Sequence, residues 1–154
     1  MRRLVGVLGA AASIAALLLT GAAATPQEDH AAYVRRDDSM KQLGRDLYIS
    51  IGRVVQGKIK YSAATVAAAE DSIKVIATLP TLFPPGSNVP QSHLKPELFA
   101  NKARVDQIIA DVQKVAEGLV PAVKTGDKSK IATANKALID ACNACHKEFR
   151  TPYE

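Results

Sequence analysis

The chain has no tryptophan, and with only three phenylalanines and four tyrosines it has little large planar material from which to build a core. Cysteine is almost as scarce. The two present, Cys142 and Cys145, stand close together near the C-terminal end. A disulfide across so short a loop would stabilise little, and no further cysteine exists to bridge distant parts of the monomer. The alternation of apolar and polar residues expected of a half-buried strand is almost wholly missing, which argues against a sheet. No basic cluster interleaved with aromatics occurs either, so a formal charge of +5 does not point to nucleic acid.

One long hydrophobic run is present, and it is short for a membrane span. Met1-Arg2-Arg3 gives a basic start, Leu4 to Leu19 carries no charge, and Ala22-Ala23-Ala24 supplies small residues for cleavage. This is the pattern of a secretory signal peptide over residues 1–24. A bilayer crossing needs about 20 apolar residues, and this run is interrupted by Gly6, Gly9 and Ser13, so no stable membrane insertion is expected after cleavage. The remaining residues, 25–154, suffice for one compact domain. Without Arg2 and Arg3 the formal charge falls to +3.

Against these absences stands one dense motif, Cys142-Asn143-Ala144-Cys145-His146. C-x-x-C-H is the attachment signature of c-type haem. Cysteines three residues apart project from one face of a helix, so two thioether bonds can form along one porphyrin edge. The next residue can then turn its imidazole onto the iron. The motif predicts one covalently attached haem c, with Cys142 and Cys145 as the thioether residues and His146 as proximal iron ligand. Such a cofactor also supplies the planar bulk that the side chains lack. Export agrees with it, because the attachment machinery works on the outer side of the bacterial inner membrane, which makes the periplasm the expected compartment.

Other chemistries use paired cysteines. A closed zinc site needs four ligands, and no second Cys or His cluster is visible. A thiol-disulfide protein using Cys142 and Cys145 would place them at a strand-to-helix junction, whereas a long helical pattern precedes them here.

Helical periodicity runs through the rest of the chain. A first segment, about Gln27 to Gln56, puts Tyr33, Arg36, Met40, Leu43, Leu47, Ile51 and Val54 near one face, and Gly57 stops it. A second begins at the N-cap residue Ser62 and ends before Pro80, with Val66, Ala69, Ile73 and Ile76 inward. Residues 80–96 are irregular, punctuated by Pro84-Pro85-Gly86 and Pro90, and read as a crossover packed on the helices. A third segment, Glu97 to Lys124, repeats Val105, Ile108, Val112, Val115, Leu119 and Val123, with Pro121 disturbing its last turn. The fourth runs from Lys128 to Arg150 after the Gly126-Asp127 break, with Ile131, Ala134, Leu138, Cys142, Cys145 and Phe149 inward. The expected fold is all-α, an antiparallel four-helix bundle with the haem motif on the last helix.

A C-terminal C-x-x-C-H on the fourth helix resembles the class II cytochromes c, the family of cytochrome c′ and its low-spin relatives. Arg36, Met40 and Lys41 are similar to the family's Arg-x-x-x-Met-Lys pattern, and Phe83-Pro84-Pro85-Gly86 to its Phe-x-Pro-Gly stretch. Lys95-Pro96-Glu97-Leu98-Phe99 resembles the Pro-Glu-aromatic stretch, with Phe99 where tryptophan is usual. His146 to Arg150 matches the family's His-x-x-aromatic-Arg tail.

The resemblance implies an electron carrier rather than an enzyme, exchanging electrons with redox partner proteins. It places Arg36 on a haem propionate, against the plainer reading of a surface ion pair with Asp37 or Asp38. Arg150, one turn after His146, would keep the proximal side electropositive, or else sit solvated at a helix C-terminus. Met40 is the only methionine after the signal peptide. Ligation by its sulfur gives a six-coordinate, low-spin carrier, which is the reading adopted here. Mere packing would leave a five-coordinate iron that binds NO or CO. His30 and His93 are rival ligands expected to be mainly solvated. The family also implies a homodimer as one possible assembly.

Overall fold

The computed structural model describes residues 24–152, so the leader expected over 1–24 lies outside the described residues except for Ala24. Four helical rods account for most of them. The first joins α1 (Pro26–Gly44), a π-helical stretch (Arg45–Ile51) and α2 (Gly52–Val55). The second is α3 (Ala63–Thr78), extended by a 3-10 turn at Leu79–Thr81. After the crossover come α4 (Glu97–Ala100), α5 (Lys102–Ala116) and α6 (Leu119–Lys124), which form the third rod. The fourth is α7 (Lys128–Phe149). No strand occurs among the described residues, and no described helix is long and apolar enough to cross a membrane.

Local chemistry sets the rod ends. Thr25 caps α1 in a reciprocal pair with Glu28, whose carboxylate accepts from the Thr25 N–H at 2.7 Å. Gly57 and Gly126 adopt φ of 73° and 67°, left-handed conformations that suit glycine where each rod must reverse. Asp127 then caps α7, its Oδ1 accepting from Ser129 N–H at 2.8 Å and Lys130 N–H at 3.0 Å.

The third rod is not the single helix that its periodicity suggests. It breaks at Asn101, and again at Glu117-Gly118, ahead of Pro121. Proline cannot donate to the carbonyl four residues back and crowds it, so the disturbance falls a turn earlier than the proline itself. The inward register runs through Val112, Ala116, Leu119 and Val123, so Ala116 takes the inward place expected of Val115, which is exposed. On α3 the small residues Thr65, Ala68 and Ser72 are buried while Val66 and Ile73 are only half-buried.

The first rod packs on α3 and α7, and the third rod packs on the same two, closing a ring of four. The best-buried aliphatics, Ile51, Ile76, Leu119, Val123, Ile131 and Leu138, fill its middle and the end where the Gly57 and Gly126 reversals lie. The crossover closes the opposite end. Leu82 and Leu98 are buried there, and Lys95 N–H donates to the Phe149 carbonyl at 2.8 Å beside an isolated antiparallel bridge between Leu94 and Arg150.

Candidate haem site

At that crossover end α1 and the C-terminal half of α7 flank a cavity of about 500 Å³, within the range of small-molecule and cofactor sites. Met40 and Leu43 line it from the first rod, Cys142, Cys145 and His146 from α7, and Phe83 and His93 from the crossover. The C-x-x-C-H spacing singled out the two cysteines and the histidine, the family resemblance pointed to Met40, and the fold brings all four to one cavity.

The cysteines are half-buried and near the C-terminal end of a helix. Burial pushes the Cys142 thiol up to about 11, with the neighbouring Cys145 adding to the effect, and burial raises Cys145 as well. A reactive dithiol needs the reverse, a thiolate stabilised at a helix N-terminus or beside a cation. Burial, and secondarily the charge of Arg150, lower the pKa of His146. The neutral imidazole so favoured is the form that binds a metal.

Arg36 is 5% exposed, so it forms no surface ion pair; its neighbour Asp37 pairs with Lys41 instead. Its guanidinium donates to the Leu82 carbonyl at 2.9 Å, to Ser87 Oγ at 3.0 Å, to the Ser87 carbonyl at 2.9 Å and to Ser92 Oγ at 3.3 Å. It also lies 5.6 Å from the centre of the Phe83 ring. These partners are all neutral, and burial lowers the Arg36 pKa against smaller opposing effects of Tyr33 and Asp37. A largely buried cation without a hydrogen-bonded carboxylate therefore borders the cavity.

Arg150 is placed differently from the helical projection. The helix ends at Phe149, and Arg150 continues extended with φ −116° and ψ 138°, paired with Leu94. Its half-buried side chain nevertheless lines the cavity. His93, expected to be simply solvated, is exposed but borders the cavity too, while exposed His30 lies against Tyr33 with ring centres 5.8 Å apart.

Sequence reasoning missed Asn135. It is buried on α7 and donates through Nδ2 to the Leu47 carbonyl at 3.0 Å. A polar residue at the inward register between Ile131 and Leu138 was the available signal.

The family model described as Cytochrome C' matches residues 31–150, which spans all four rods and the whole site. The chain belongs to the cytochrome c′ family. Cytochrome c′ of Rhodospirillum rubrum is 29% identical over 140 residues, covering 90% of this chain and 94% of that protein. Cytochrome c-556 of Rhodopseudomonas palustris is 32% identical over 143 residues, covering 88% and 91%. Among solved structures, a cytochrome c′ variant from Alcaligenes xylosoxidans with carbon monoxide bound superposes with a TM-score of 0.72. It is 25% identical, and the match covers 84% of this chain and 98% of that one. A single c-type haem is the cofactor of the family. The donor set fits it: two thiols and an imidazole share one wall of a cavity that the aliphatic core does not fill.

Proposed function

We propose that this cytochrome c′ family member is a periplasmic electron carrier in which Cys142 and Cys145 hold the haem by thioether bonds and His146 and Met40 bind its iron from opposite sides. The observation that carries this reading is that Met40, on α1, lines the same cavity as the three motif residues on α7. The bound haem supplies the redox chemistry, its iron alternating between ferric and ferrous states. The protein's residues do the rest. His146 would bind the iron as neutral imidazole and Met40 would supply a thioether, a ligand pair that raises the potential of a haem.

Arg36, already fixed by the crossover, presents a buried positive charge to a propionate, which gives that anion a partner no neutral residue could. Arg150 adds positive charge on the His146 side. Electrons would pass to a docked redox partner at the haem edge exposed beside the C-terminal helix. A thiol-disulfide role is disfavoured by the raised thiol pKa values.

A second reading follows if Met40 packs without ligating. The iron is then five-coordinate and takes NO or CO, and the carbon monoxide bound to the Alcaligenes xylosoxidans relative supports keeping it. Absorption spectra of the oxidised, reduced and CO-treated reduced protein separate the two. A six-coordinate low-spin spectrum with slow CO uptake is expected, and Met40→Ala should convert it to a high-spin form that binds CO readily. An unchanged low-spin spectrum in Met40→Ala rejects the ligation. Mass spectrometry of the secreted protein tests attachment itself, with haem mass expected to persist on the denatured chain.

A further inference from the structure

The first rod carries a seven-residue π-helical stretch, Arg45–Ile51, directly after the helix that bears Met40. Extended π geometry is rare and tends to mark functional positions, because a sequence left to its propensities returns to α. Something must hold it here. The Leu47 carbonyl accepts the Gly52 N–H five residues on, and also Asn135 Nδ2 from α7 at 3.0 Å. A Cβ on Gly52 would stand 3.0 Å from that same Leu47 oxygen, so glycine is what lets the turn close. Asn135 is 5% exposed and its Oδ1 has no hydrogen-bond partner among the described residues. An aliphatic residue of similar size would leave no such orphan, so the one use the amide has is the bond it donates.

The location gives this contact its meaning. The packing of α7 on the first rod is concentrated on the π-helical stretch and α2, whereas α1 stands off to form the cavity. Asn135 lies eleven residues before His146, about three helical turns, and so on the same face of α7. Leu47 lies seven residues after Met40, and Leu47 and Tyr48 are themselves part of the cavity wall. We propose that Asn135 is a positioning residue for the haem site: its bond to the Leu47 carbonyl holds the π-helical stretch and thereby sets how α1, with Met40, faces His146 across the cofactor. Reversion of the stretch to α geometry would turn the preceding helix by about 100°, one residue's worth, relative to α7. The proposal rests on haem being held between α1 and α7.

The test uses the full haem-bearing protein and compares Asn135→Leu, Gly52→Ala, Met40→Ala and Val123→Ala, the last a buried site on α6 outside the cavity wall. Readouts are the ferric and ferrous spectra, the CO association rate and Tm. Asn135→Leu and Gly52→Ala should each change the CO rate by about tenfold and shift the spin state, since small displacements in a supporting shell have effects of that size. Val123→Ala should lower Tm alone. If Asn135→Leu behaves like Val123→Ala, the proposal is overturned. Should Asn135→Leu fail to accumulate, Gly52→Ala decides, because its added Cβ presses on the same carbonyl. If Met40→Ala leaves the spectrum unchanged while Asn135→Leu alters the CO rate, the ligation fails and the positioning role stands. Absence of covalent haem on the wild-type chain overturns both.

Discussion

The two ends of this bundle are built on different principles. At the end of the Gly57 and Gly126 reversals the interior is aliphatic: Val54, Leu119, Val123 and Ile131 are at most 3% exposed, and close packing of these side chains holds the rods together, with an exposed Lys124–Glu70 ion pair between α6 and α3 at the surface. At the crossover end the buried set includes Arg36 and Ser87, and Met40, Cys142, Cys145 and His146 are only half-buried around the cavity. There the packing of Leu82, Leu98 and Phe149 is supplemented by hydrogen bonds from Arg36 and Lys95 to backbone carbonyls. The aliphatic end is complete with the polypeptide's own atoms, while the crossover end is shaped to be completed by a cofactor.

The strongest way to break this contrast is to block attachment. Cys142→Ser with Cys145→Ser should yield a chain without covalent haem. Its amides around Met40, in the crossover and in the last two turns of α7 should lose hydrogen-exchange protection by about 100-fold or more, while those of α6 and the first turns of α7 stay protected. Uniform loss along all four rods would show that the two ends form one cooperative unit and that the division drawn above is false.

A smaller effect separates the two kinds of packing. Ile131→Ala empties fully buried space at the aliphatic end and should cost about 2–5 kcal/mol, read by denaturant unfolding, without altering the haem spectrum. Arg36→Met removes the four bonds that tie α1 to the crossover. It should cost about 2–3 kcal/mol, because the loop carbonyls it leaves are buried. The same variant should speed proteolysis near Ser87 and shift the reduction potential. If it does no more than Ile131→Ala, Arg36 is only another core contact.

What could be read from the sequence divides along the same line. The signals at Ser62, Gly57, Gly126 and Asp127 are local, and each stop or start falls within a residue or so of its expected place. Inward registers on α7 were legible for the same reason, and they carried the cysteines and His146 to one wall. The destination of Arg36 was not legible, because its acceptors lie 46 to 56 residues away and are mostly backbone or small hydroxyls with no pattern of their own. The π-helical stretch was invisible on similar grounds. A regular run of apolar spacings continues through it, and what stabilises it is a side chain 88 positions later.

The smallest expected effect lies at the boundary between the two ends. Asp46, within the π-helical stretch, has one carboxylate oxygen buried without a hydrogen-bond partner. Burial raises its pKa, Asp71 on α3 adds to the rise, and Gln42 and Arg45 oppose it. The folded state therefore binds the Asp46 proton more readily than the unfolded chain does. The stability this group contributes is present at low pH and is lost as pH rises through the unfolded value toward the raised folded one. At neutral pH the ionised carboxylate is a net liability, and Asp46→Asn should stabilise the protein by about 0.5 kcal/mol after allowance for solvent screening. Because a protonated Asp resembles Asn, the gain should shrink as the pH is lowered below the ordinary carboxylate range. Denaturant unfolding at neutral and acid pH measures both. A destabilised Asp46→Asn at neutral pH would mean that the negative charge itself supports the π-helical stretch, and the boundary would then depend on electrostatics as well as on the Asn135 contact.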